Sequence, residues 1–194
     1  MKSLKEIFIS KKLKYRKYID NNLAPKKFNS GCDIILHEYD SIYEKYLEKF
    51  RHKNINFCEI GILCGDKLDL FDEYFDNATF YGYDINIDII KKYQPEDFFK
   101  KINIKKLDSR NPNETKAIKE TFDIIIDDGC HKPSSIINTF NNFYEKVNKN
   151  GIYFIEDVNK GRLKHVEKFL KDKNIKYTFE IKPNKPCGII IIQK

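Results

Sequence analysis

Glu59-Ile60-Gly61-Ile62-Leu63-Cys64-Gly65 follows a short apolar run at 56–60 and opens into a helical pattern carried by Leu68, Phe71 and Phe75. A strand that breaks into a turn with glycines four residues apart, then a helix, is the start of a strand-helix-strand unit. Glycine has no Cβ, so such a loop can pass close to a ligand and take dihedrals closed to other residues. The G-x-G-x-x-G fingerprint of dehydrogenases is absent.

Outward from this loop the same rhythm repeats. Apolar runs predict strands at 56–60, 79–83, 102–106, 122–127, 151–156, 176–181 and 188–192. Between them the spacing predicts helices at Leu68/Phe71/Phe75, at 87–92, from an Asn111-Pro112 cap to Glu120, at Ile136/Phe140/Phe143/Val147 and at Leu163/Val166/Leu170. Upstream, Ile42, Tyr43, Tyr46, Leu47 and Phe50 fall at helical spacing, with Ser41 and Glu44 placed as a capping box. Only 182–187 separates the last two strands, too short for a parallel crossover and right for a hairpin. The expectation is an α/β fold: a seven-stranded, mostly parallel sheet with an antiparallel last strand and helices on both faces. Residues 1–35 are less periodic and read as an N-terminal arm before a single domain at 36–194.

Composition bounds the function. The chain has 194 residues, a net charge of +7 and 36 basic residues, of which only Arg16, Arg51, Arg110 and Arg162 are arginine. Specific base and phosphate recognition leans on the Arg fork, so a nucleic-acid partner is the weaker reading of this charge, though not an excluded one. No apolar run approaches the roughly 20 residues that span a bilayer, and no secretory signal pattern stands at the N-terminus, so the expected compartment is the cytoplasm. Five cysteines without Cys-x-x-Cys spacing (Cys32, Cys58, Cys64, Cys130, Cys187) are expected to be reduced, individually buried thiols.

The residues that carry chemistry stand at strand ends. Asp84, about 20 residues beyond the loop, is placed to accept from ribose hydroxyls, and Asp108 follows the third strand. Strand four runs into Asp127-Asp128-Gly129-Cys130-His131, and strand five into Glu156-Asp157. On adjacent strands these four carboxylates would converge within about 10 Å. Like charges so close invite a hard divalent cation with oxygen ligands, Mg²⁺, Mn²⁺ or Ca²⁺ rather than Zn²⁺. Because side chains alternate along a strand, Asp127 and Asp128 are expected to serve different partners.

Together with His37-Glu38-Tyr39-Asp40 and the segment after it, these motifs resemble the metal-dependent sugar O-methyltransferases of macrolide biosynthesis, over residues 37–160. The resemblance implies a Rossmann-like class I methyltransferase that uses S-adenosylmethionine and acts on a hydroxyl of a sugar, glycan precursor or small metabolite. It implies cofactor contacts from Glu59, Ile60, Gly61 and Gly65, from Asp84 and Ile85, from Asp108 and Ser109, and from Asp127. It implies Asp128, Glu156 and Asp157 as Mg²⁺ ligands and His131, beside Asp128, as the base. The chain departs from the pattern at Cys130, where Ser is usual, at Asp66-Lys67, where Gly-Ser is common, and at Asn29–Asp33, where a threonine-aspartate-lysine-glycine segment is missing. A nucleic-acid methyltransferase and a catalytically silent binding module of the same fold are the rival readings. Self-association is left open.

Overall fold

The computed structural model describes residues 1–18, 34 and 37–194. Cys32 and the Asn29–Asp33 departure lie outside the described residues. The chain builds one seven-stranded sheet from β1 (Asn54–Ile60), β2 (Asn77–Asp84), β3 (Ile102–Lys106), β4 (Phe122–Asp127), β5 (Val147–Val158), β6 (Thr178–Glu180) and β7 (Gly188–Gln193). Their order is β3-β2-β1-β4-β5-β7-β6, and only β7 runs antiparallel, against both β5 and β6. The chain moves outward from β1 to β3, then returns to place β4 on the other side of β1. The reversal opens a crevice at the carboxyl ends of β1 and β4, where ligands of open α/β sheets bind.

Alternation along the strands feeds two cores. On one face Phe57, Phe80, Ile124, Ile126 and Phe154 pack under α1 (Leu4–Tyr18), α2 (Asp40–Leu47), α3 (Asp66–Tyr74), α4 (Asp88–Tyr93) and α5 (Glu96–Lys101). On the other, Cys58, Ile60, Ile125, Tyr153 and Ile155 pack under α7 (Pro133–Phe143) and α8 (Lys160–Asp172). The short α6 (Pro112–Thr115) precedes β4. Isoleucine is the commonest buried residue of β4, β5 and β7, as expected of strands covered on both faces.

Several local expectations give way to tertiary structure. The helix after Asn111-Pro112 is capped as expected, with the Asn111 side chain accepting from the Asn113 N–H, yet it ends at Thr115 rather than Glu120. α7 stops at Phe143, and Val147 opens β5 instead of closing the helix. Ser41 and Glu44 form no capping box: α2 starts at Asp40 behind Tyr39, and Glu44 accepts instead from the Leu4 N–H at 2.5 Å. That bond anchors α1, whose Leu4 and Ile7 are buried in the first core. Nor are the thiols uniformly buried, since Cys58 and Cys64 are, whereas Cys130 is exposed and Cys187 half-buried.

Candidate active site

A cavity of about 460 Å³ lies at the carboxyl ends of β1 to β4. Its floor is the loop after β1. Gly61, at φ +84°, donates its N–H to the Tyr83 carbonyl, and the Asp128 N–H returns to the Ile60 carbonyl. A Cβ on Gly61 would stand 2.3 Å from the Asp128 carbonyl oxygen, so only glycine lets the two loops cross this closely. Gly65, also at positive φ, serves packing: a Cβ there would meet Ile90 and Phe98 at 2.8 and 2.9 Å. Asp84 ties the loop to β2, accepting from the Leu63 N–H at 3.1 Å and from the Asn86 N–H at 2.8 Å.

Glu59, Ile60, Gly61, Asp84, Ile85, Asp108, Ser109, Asp128 and His131 all line this one cavity; Gly65, Asp127, Glu156 and Asp157 do not. Asp108 is gripped by Arg110 through Nε and Nη2 at 2.7 Å each, which holds its carboxyl below the ordinary range. Ser109 is held through its hydroxyl by Thr139 at 2.8 Å and through its carbonyl by Asn142.

Asp127 and Asp128 part to opposite faces, as strand alternation requires. Asp127 turns to the second core, where it accepts from the Gly129 N–H and the Tyr153 hydroxyl, and burial pushes its pKa up to about 7. Asp128 turns to the first core and meets Lys67 of α3, whose Nζ lies 2.7 Å from Asp128 Oδ2, 2.7 Å from Glu156 Oε1 and 3.5 Å from Glu59 Oε1. Lys67 is 4% exposed. Burial works against its charge, but Asp128, Glu156 and Glu59 together outweigh it and hold the ammonium protonated. In return burial lifts the Glu59 carboxyl to about 7, and burial with Glu156 beside it lifts that of Asp128.

Glu156 is fully buried. Its Oε1 accepts from Lys67 and from the Tyr43 hydroxyl, while its Oε2 has no hydrogen-bond partner. Asp157 sits at φ +55°, a conformation that costs energy in a side-chain-bearing residue. Tyr39 donates to Asp157 Oδ1 at 3.1 Å, and Arg162 holds the Asp157 carbonyl at 2.6 Å. Asp128, His131 and Asp157 thereby form one group whose ligand atoms all lie within 4.8 Å of one another. His131 Nε2 is 3.7 Å from Asp128 Oδ1 and 3.8 Å from Asp157 Oδ2. Burial holds its pKa below the ordinary histidine value; Asp157 pulls against this and Arg162 with it. His37 stacks on Tyr39 and lies 3.8 Å from Asp157, with its Nδ1 buried and unbonded.

Sequence reasoning missed Lys67, Tyr39, Tyr43 and Arg162 as parts of this centre. The one available signal was Lys67 itself, a lysine on the same helical face as Phe71 and Tyr74, where an apolar residue belongs. Tyr39 and Tyr43 offered no such signal, because aromatic residues at helical spacing read as packing.

No protein-family profile matches the chain. It is 26% identical over 133 residues to the 8-demethyl-8-alpha-L-rhamnosyl tetracenomycin-C 2'-O-methyltransferase of Streptomyces olivaceus, across 63% of this chain and 34% of that one. It is 28% identical over 133 residues to demethylmacrocin O-methyltransferase of Streptomyces fradiae, across 63% and 32%. The chain thus spans about a third of the length of these relatives. In structure it is similar to the MycE methyltransferase of the mycinamycin pathway, solved with Mg, SAH and mycinamycin VI, at a TM-score of 0.69, 17% identity and coverage of 100% of this chain and 55% of that one. A putative methyltransferase of Streptococcus mutans solved with SAH matches at a TM-score of 0.60 and 15% identity, over 79% and 96%. The fold is that of the class I methyltransferases.

Proposed function

We propose that the chain transfers a methyl group from S-adenosylmethionine to a hydroxyl of a sugar or sugar-bearing small molecule, with a divalent cation, Mg²⁺ first among candidates. The observation that carries this reading is a cavity at the β1/β4 crevice that has Asp128 and His131 in its wall, with Asp157 joining them. The relative named as a rhamnosyl tetracenomycin-C 2'-O-methyltransferase supports the acceptor class.

The donor set suits a hard ion. Asp128 and Asp157 offer carboxylate oxygens from two adjacent strand ends, and Glu156 adds negative charge and an unpartnered Oε2 behind them. Asp128 and Asp157, with Glu156 behind, would hold the ion; when bound, it supplies Lewis acidity that makes an acceptor hydroxyl easier to deprotonate. S-adenosylmethionine supplies the methyl on a sulfonium.

The chain's own groups do the rest. Asp84 and the Gly61 turn shape the cavity where a cofactor's ribose and amino-acid ends would lie. Burial lowers the His131 pKa, which favours the neutral ring that can take the hydroxyl proton at Nε2. Tyr39 fixes one oxygen of Asp157, leaving the other toward His131. We take residues 36–194 as the methyltransferase domain and 1–35 as an N-terminal arm whose α1 docks on it. We place the reaction in the cytoplasm; among the described residues no helix is long and apolar enough to cross a membrane.

The test is a methylation assay with S-adenosylmethionine and a panel of rhamnosyl and other deoxysugar glycosides. The expected result is mono-methylated product, abolished by EDTA and restored by Mg²⁺. In His131→Ala, turnover should fall by about 10²- to 10⁴-fold while SAH affinity is kept. Full activity in EDTA, or in the variant, contradicts the mechanism.

A further inference from the structure

Lys67 is the residue that sets this centre apart from the pattern its motifs resemble. After Gly65 the chain continues Asp66-Lys67, and the lysine reaches down from the first turn of α3 into the acids. A buried ammonium 2.7 Å from two carboxylates and 3.5 Å from a third supplies positive charge where the acidic strand ends would otherwise call for an ion.

We propose that Lys67 is a built-in counter-cation that competes with the divalent ion for Asp128 and Glu156, and so sets how tightly this site holds metal. The inference rests on the metal-assisted reading above. Lys67 takes Asp128 Oδ2, and with Tyr43 it takes Glu156 Oε1. That leaves the ion Asp128 Oδ1 and Asp157, with His131 beside them. The ammonium also repels an incoming dication across a poorly solvated gap, where Coulomb interactions are strong. The consequence is a centre that stays folded without metal and binds metal weakly. Without the ammonium, Glu59, Asp128 and Glu156 are left facing one another in a buried site, Glu156 is freed as a ligand, and a divalent ion becomes the means of neutralising them.

The experiment is a Mn²⁺ titration of the full chain, followed by calorimetry or by the loss of the free-ion paramagnetic resonance signal. Wild type is compared with Lys67→Met, which keeps the stem but not the charge. Because Lys67→Met leaves its acids uncompensated and loses stability, Lys67→Met/Glu59→Gln is titrated in parallel; it removes one of those acids without touching Asp128, Asp157 or Glu156. SAH binding is measured on each protein as a separate readout. The expected result is Mn²⁺ affinity at least tenfold tighter in the variants than in wild type. A second expectation is a rise in melting temperature with Mn²⁺ that is larger for the variants. Variants that bind Mn²⁺ no tighter than wild type overturn the proposal while leaving the metal-assisted reading standing. Absence of Mn²⁺ binding in wild type and variants alike overturns both, and SAH binding then reports separately on the cofactor site.

Discussion

Asp66 and Lys67 are adjacent, and burial treats them in opposite ways. Lys67 meets three acids and keeps its charge, whereas Asp66 has the Gln94 amide at 3.4 Å as its neighbour, and burial raises its carboxyl to about 6. Its folded pKa therefore lies above the ordinary value of 3.8. The folded state holds the proton more tightly than the unfolded state, so the Asp66 contribution to stability is fully present below about pH 4 and is lost as pH rises toward 6. Asp66→Asn should remove that share of the pH dependence: urea midpoints of variant and wild type should agree near pH 4, and the variant should be the more stable at pH 7. Equal midpoints at both pH values would show that Asp66 is not perturbed. At this scale the strand-end acids were legible in the sequence, since a carboxylate directly after an apolar run has few places to go but the sheet's carboxyl edge. Their partners were not. That Lys67 and Tyr43 converge on Glu156 depends on how α3 and α2 lie over β5, a relation between segments about 90 and 113 residues apart.

Among the elements, the strands and the closing hairpin could be read because their apolar runs are long and their separators short. The β6–β7 connection of 182–187 forced an antiparallel β7, and β7 pairs antiparallel with both neighbours. The helix boundaries were less legible: the pattern after Asn111 continues through Ile118, but Thr115 spends its hydroxyl on the Asn111 and Pro112 carbonyls and the helix ends there. α1 escaped because its lysines obscure a narrow apolar stripe. Yet Leu4 is fully buried, its N–H bonds Glu44, and Lys11 of the same helix pairs with Asp69 of α3 at 2.8 Å. Leu4→Ala should therefore cost about 2–5 kcal/mol of unfolding free energy, the range for emptying a buried leucine site. A change below about 0.5 kcal/mol in urea denaturation would mean that α1 is a surface appendage.

For the whole molecule, strand order concentrates the chemistry. With β1 at the centre and the chain reversing direction across it, the ends of β1, β2, β3 and β4 share one cavity, and β5 adds Glu156 and Asp157 beside β4. The glycine loop after β1 and the acidic centre are then two halves of one crevice, joined where the Gly61 turn passes under Asp128. The claim on which everything else stands is that this crevice receives S-adenosylmethionine. Calorimetric titration with S-adenosylhomocysteine tests it most directly, on wild type and on Asp84→Ala, which releases the Leu63 end of the loop and removes the acid proposed to accept from the ribose hydroxyls. The expected result is one molecule bound per chain, with affinity at least tenfold weaker in the variant; no binding to wild type, or equal binding to both, would contradict the account.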